Sequence, residues 1–174
     1  HAELGIPMLE GAIANFERMG DTASRLAAIE KLGFALNEAQ IWDRAVPLLE
    51  EGVAFHIKEL GPENDKTLSM MEMLGVAYWR RGQVEMAVAL LRDALEKKAR
   101  LLGENSARTL IVMNNLGASL TAAGRTEEAI SIHKRSVELH RRHLGEENGE
   151  TLLAKHNLAA AYSGAERYEE ATDL

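Results

Sequence analysis

Amides and imidazoles are the side chains in this sequence best placed to do chemistry. Asn114 and Asn115 stand side by side in the apolar stretch TLIVMNNLGASL, residues 109–120, and Asn157 follows in HNLA, residues 156–159. A carboxamide carries donors and an acceptor, so it can hold the backbone of another chain whatever that chain's side chains are. Asn is also a poor helix former and costly to bury unpaired, so two in an apolar helix need something polar to face. His133, His140 and His143 gather in HKRSVELHRRH, residues 133–143. The i,i+3 spacing of His140 and His143 could serve a metal, but no third ligand stands at matching spacing, and a solvated helix face is expected. The carboxylate pairs Glu127-Glu128 and Glu169-Glu170 suit helix starts, where the dipole favours acid. No phosphate-binding glycine loop, nucleophile elbow or H-E-x-x-H occurs, so neither catalysis nor a cofactor nor a metal is expected here.

The bulk properties narrow the field further. The 174 residues are 46% hydrophobic and 27% charged, a globular balance with few aromatics and abundant Ala and Leu. The net charge of −7 disfavours a general nucleic-acid role. There is no cysteine, which excludes disulfides, thiolate catalysis and cysteine zinc sites and suits a reducing, cytoplasmic setting. No apolar run approaches the roughly 20 residues that span a membrane, and no signal peptide is visible.

The elements that position the amides are set by an internal repeat. Thr-Leu recurs at 67-68, 109-110 and 151-152, a step of 42 each time (109 − 67 and 151 − 109). Leu-Gly follows the same step at 60-61, 102-103 and 144-145. So do Leu32-Gly33, Leu74-Gly75, Leu116-Gly117 and Leu158-Ala159, and the series Ala45, Ala87, Ala129, Ala171. In the unit 67–108, Leu68, Met71, Leu74, Gly75 and Tyr78 share one face of a helix predicted over 67–81. Gly82 breaks it, a second helix is predicted over 84–102, and Gly103 ends that one in a left-handed cap. Gly75, Gly117 and Ala159 mark the closest approach of the two helices, with Ala87, Ala129 and Ala171 expected opposite. Two antiparallel helices per unit, stacked, make an α-solenoid.

Leu74, Gly75, Tyr78, Gly82, Glu85, Ala87, Leu91 and Ala94 together resemble the tetratricopeptide repeat. The step of 42 exceeds the usual period of about 34. With Thr-Leu, NNLG or HNLA, and a terminal Leu-Gly-Glu, the pattern is similar to the long repeats of kinesin light chains. The resemblance implies an all-α, right-handed α-solenoid of antiparallel helix pairs, a TPR superhelix. The units run 25–66, 67–108 and 109–150, with a truncated fourth at 151–174 and the end of a preceding repeat, or an N-terminal helix, at 1–24. Pro7 is expected near the start of that helix or in a linker before it, and the solenoid is expected to continue beyond both ends. Gln40 and Glu166 stand where Gly82 and Gly124 make the turn, and Leu36 and Leu120 replace Tyr78 and Tyr162.

In this family the first helix of each unit lines the concave face. The resemblance therefore implies a groove facing Phe34 and Asn37, then Met73, Trp79 and Arg80, then Asn114 and Asn115, then His156 and Asn157. Two roles stay open for the asparagines: clasping a ligand backbone, as the resemblance implies for Asn115 and Asn157, or bonding to a neighbouring first helix. Internal bonding is the favoured role of Asn114. Trp79, with Arg80, Met73 and Phe34, either forms an apolar pocket with a basic rim or packs on the next helix, and Trp42 packs locally at the turn of the first unit. Residues 1–66 carry six basic and twelve acidic residues, residues 67–108 seven and five. A partner with an acidic stretch would favour the middle units, unless those bases merely cover exposed second-helix faces. The expected function is a protein-interaction module that takes a peptide or partner segment in its groove, within a larger protein. The rival is a scaffolding or regulatory solenoid that self-associates, through exposed solenoid ends among other routes, or controls a fused effector.

Overall fold

A computed structural model describes residues 2–174, with side chains from Gly5 onward. The described residues are helices joined by short turns: α1 (Ala2–Met19), α2 (Thr22–Glu38), α3 (Trp42–Leu60), α4 (Asp65–Arg80), α5 (Val84–Leu102), α6 (Ala107–Ala122), α7 (Thr126–Leu144), α8 (Gly149–Gly164) and α9 (Tyr168–Thr172). They form two compact units, one ending at Gln83 and one starting at Val84. In the first, α2 packs between α1 and α3, and α4 packs on α3 and α2. In the second, each helix from α5 to α9 packs on the next, and α6 also touches α8.

The sequence period is the structural period. Helices α4, α6 and α8 begin at 65, 107 and 149, again steps of 42 (107 − 65 and 149 − 107). The second helix expected over 84–102 is α5, and the first helix expected over 67–81 starts two residues earlier as α4. The difference has a physical cause. Thr67 is not the cap; Asn64 is, its side chain accepting the Lys66 amide. Asn148 caps α8 in the same way by accepting the Glu150 amide, and Ser106 caps α6 by accepting the Thr109 amide. The threonines have another task. Thr67, Thr109 and Thr151 are buried, and each donates its hydroxyl to the carbonyl of the glycine six residues earlier, Gly61, Gly103 or Gly145, at 2.8 Å. The Leu-Gly and Thr-Leu series are two ends of one latch, which ties the end of each second helix to the first turn of the next helix.

The mid-unit turns need a left-handed residue. Gly82 and Gly124 supply it with φ of 88° and 69°. Gln40 and Glu166 take the same conformation at φ 59° with a side chain attached, at a cost of about 1 kcal/mol each. Pro7 lies inside α1, not ahead of it.

Apolar stripes from α2, α3 and α4 meet in the first unit, where Ile29, Leu36, Leu49 and Leu68 are fully covered, and those of α5 to α8 meet in the second through Leu91, Leu116, Ile130 and Leu158. The small residues do allow close approach, but their partners differ from expectation. A β-carbon on Gly33 would lie 2.3 Å from Leu49 Cδ2, and one on Gly117 would lie 2.4 Å from His133 Cε1. The helix is met one turn beyond Ala45 and Ala129, because the long side chain there reaches back over the glycine. Ala45, Ala87 and Ala129 are buried, while Ala171 is only half-buried.

Two outcomes follow. Thr67→Val keeps the shape but removes the latch and should destabilise the protein by about 1–2 kcal/mol in urea denaturation. Gln40→Gly should stabilise it by up to about 1 kcal/mol, since relief of the left-handed strain outweighs the added freedom of the unfolded chain.

Candidate functional site

The first helices carry the predicted binding residues, and each unit holds its own set. In the first unit, Phe34 projects from α2 with 59% of its surface exposed. One turn on, Asn37 donates its amide to the Met73 carbonyl of α4 at 3.1 Å, joining consecutive first helices. Its side-chain oxygen is buried without a partner. Trp79 and Met73 are half-buried, and the Arg80 guanidinium lies over the Trp79 ring, 4.1 Å from its centre. Trp79 and Arg80 thus form one flat, cationic-aromatic surface.

In the second unit the amides divide. Asn114 accepts a hydrogen bond from the Ser136 hydroxyl of α7 at 3.2 Å, which ties it to its own helix pair. Asn115 and Asn157 are half-buried, one repeat apart on the touching helices α6 and α8, and Asn115 makes a contact within the protein. Ala118 is half-buried and Ala160 exposed one turn further on, and His156 is exposed beside Asn157. Ile111 and Leu153, about half exposed, flank the amides with apolar surface. Trp42 is half-buried at the first turn of α3.

The histidines correct the sequence reading. Only His143 is solvated; His133 and His140 are buried at 3% and 4% exposure. His140 Nδ1 bonds the Ser136 carbonyl one turn back at 2.8 Å, as His56 Nδ1 bonds that of Gly52 at the same distance. Positions 56, 98 and 140 are one series (98 − 56 and 140 − 98 are both 42), and Lys98 in its middle is equally buried. Lys98 therefore does not cover an exposed helix face. His133 stands at the repeat position of Leu49 and Leu91, and it meets Gly117 as Leu49 meets Gly33. Its Nδ1 has no partner, and burial pushes its pKa down from the ordinary 6.5, so the ring is held neutral. The sequence held a signal for His133 alone, whose period-equivalents are Leu49 and Leu91; those of His140 are the polar His56 and Lys98. Among the described residues no group of acidic, histidine or cysteine side chains is arranged to hold a metal, and no helix is long and apolar enough to cross a membrane.

Most basic residues of the middle stretch are spoken for. Arg81 pairs with Asp43, Arg92 with Glu128, Lys97 with Asp93, and Arg100 with Glu96. Arg125 and Arg92 together hold the Glu128 carboxyl below its usual pKa range.

Capped helix pairs at a fixed period, latched through threonine and glycine, place this chain in a repeat class. It belongs to the tetratricopeptide repeat family, whose profile matches residues 24–100 and 106–174. Its repeats are kinesin light chain-like. They are similar to the nearly identical TPR-like repeats of a kinesin light chain from Podosopora anserina, at 28% identity and a TM-score of 0.91, covering 99% of this chain and 82% of that one. A second crystal structure of those repeats matches at 28% identity, a TM-score of 0.89 and the same coverage. BtubC (BKLC) from P. vanneervenii shares the fold at 18% identity and a TM-score of 0.63, covering 99% of this chain and 87% of that one. No curated protein matches the sequence.

Replacing His133 with leucine restores the residue of its sister repeats. His133→Leu should raise stability at pH 7 by about 1 kcal/mol, because an unpaired buried nitrogen is removed. The depressed folded pKa means that the unfolded chain takes a proton first. The wild type should therefore lose stability as pH falls below about 6.5 and through the folded value, while the variant should lack this component. Urea titrations of both proteins between pH 7.5 and about 5 would check it.

Proposed function

We propose that this chain is a protein-interaction module whose α6 and α8 faces hold the backbone of an extended partner segment. One observation carries the proposal: Asn115 and Asn157 stand one period apart on touching first helices, half-buried, with Ala118 and Ala160 leaving room beside them. Amides at that spacing can each donate to and accept from a peptide backbone, giving affinity that does not depend on the partner's sequence. Asn115 exchanges a contact within the protein for the ligand, so the expected affinity is modest. Ile111, Leu153 and His156 supply the side-chain selectivity around them. Asn114, bonded to Ser136, acts as a support for α6. In the first unit the stacked Trp79–Arg80 surface and the exposed Phe34 offer a separate aromatic contact. The reading is non-enzymatic. It also does not rely on an acidic partner, since the basic excess of the middle stretch is largely drawn into internal ion pairs.

Binding to a peptide array, compared between the wild type and an Asn115→Ala/Asn157→Ala variant of equal helicity by circular dichroism, tests this. The expected result is at least a tenfold loss of affinity, on the order of two hydrogen bonds. Unchanged binding would assign both amides to repeat stacking. Self-association of the wild type that competes with peptide would favour the regulatory solenoid.

A further inference from the structure

The asparagines are not the only matched residues of α6 and α8. Ile111 and Leu153 stand one period apart, as do Ala118 and Ala160, and Thr121 and Ser163. Positions 111, 115 and 118 stack along one face of the helix, with 121 one turn beyond. Ile111 and Leu153 are 51% and 50% exposed, and Thr121 and Ser163 are exposed. Stability does not demand these matches, because substitutions at exposed helix positions cost little. The same two helices diverge even at covered positions: Met113 answers to Lys155, and Leu120 to Tyr162. The first unit does not share the match. There α4 has Ser69, Met73, Val76 and Trp79 at the four positions, and α2 differs again, with Lys31 and Phe34 at two of them.

This surface is also uncharged. No Lys, Arg, Asp or Glu lies between Arg108 and Arg125, and the one such residue from 151 to 165, Lys155, pairs with Glu146. At the margin, Arg108 and Glu150 hold equivalent positions with opposite sign. By contrast α2 carries Glu30, Lys31 and Glu38, and α4 carries Lys66, Glu72 and Arg80. A charged partner side chain set down on α6 and α8 would lose water without meeting an opposite charge. The occupant that fits is therefore uncharged.

The period then sets the occupant's conformation. Helices α6 and α8 touch, and helices in direct contact lie about 8–10 Å apart. A partner that gives each matched set the same side chain must repeat on that step. A β-strand returns to one face every second residue, about 6.6 Å, or every fourth, about 13 Å, and neither agrees. A polyproline II segment turns once in three residues of about 3.1 Å each, so it repeats at about 9.3 Å. Its backbone makes no internal hydrogen bonds and stays open to side-chain amides. We infer that the matched surface of α6 and α8 selects an uncharged polyproline II segment with an aliphatic side chain at every third residue. In that register one aliphatic side chain lies against Ile111 and the next against Leu153, while Ala118 and Ala160 let the backbone approach Asn115 and Asn157. The inference rests on the peptide-binding reading above and adds the partner's conformation, charge and period.

Isothermal titration with two acetylated, amidated peptides of one composition tests it. The first is four Pro-Pro-Leu triplets. The second carries the same four leucines at every second residue after a run of four prolines. The wild type should bind the triplet peptide about tenfold more tightly, because two leucines rather than one are covered in register. Ile111→Ser/Leu153→Ser, at exposed positions and with helicity checked by circular dichroism, should erase that preference. Triplet peptides with Glu or with Lys in place of leucine should both bind about tenfold more weakly than the leucine peptide. No saturable binding of the triplet peptide, equal binding of its isomer, or tighter binding of either charged peptide would overturn the inference. So would a triplet preference that survives Ile111→Ser/Leu153→Ser. The two readings fail differently. If Asn115→Ala/Asn157→Ala weakens both peptides alike and the wild type does not distinguish them, the amides hold a backbone but the period assigned here is wrong. A triplet preference that persists at full affinity in Asn115→Ala/Asn157→Ala would keep the period and remove the amides from the site.

Discussion

The bond from a threonine hydroxyl to the carbonyl of the glycine six residues before it fixes much else in this protein. It sits where one helix pair ends and the next begins, is made three times, and is 2.8 Å long each time. A second helix that ended with more freedom could deliver the next first helix at many angles. With the latch closed and the Asn or Ser cap in place, the loop has one shape. The spacing of successive first helices, and hence of anything they display, follows from it.

That spacing gives the amides meaning. A single half-buried asparagine on a helix is unremarkable. Two at one repeat period, on helices that touch, form a ladder with a defined step. The same geometry separates them from Asn114, which differs from Asn115 by one residue and so by about a quarter of a turn. That rotation carries Asn114 to Ser136 of its own pair and aims the half-buried Asn115 in a different direction.

Repeats also make departures legible. Where every unit solves the same packing problem, a residue unlike its equivalents changes something local. His133 for leucine introduces a neutral buried imidazole into the second unit. Gln40 for glycine introduces a strained turn. These are different consequences of single steps away from the repeat.

The sequence by itself determined the period, the helix pairs and the left-handed turns, because each is written in local spacing and repeated. It placed α5 to the residue, and it marked Asn115 and Asn157 as equivalent. It failed on contacts between elements. The partner of Gly117 is His133 and not Ala129, since side-chain length and direction decide where two helices touch. A run of charged and imidazole residues looked solvated, yet His133, His140 and Lys98 are buried, because a helix face becomes interior only when a neighbour covers it. The threonine latch was visible as two conserved spacings within the chain but not as one bond. The pair of Arg92 with Glu128 needed the tertiary structure altogether, since it joins residues 36 positions apart on two helices.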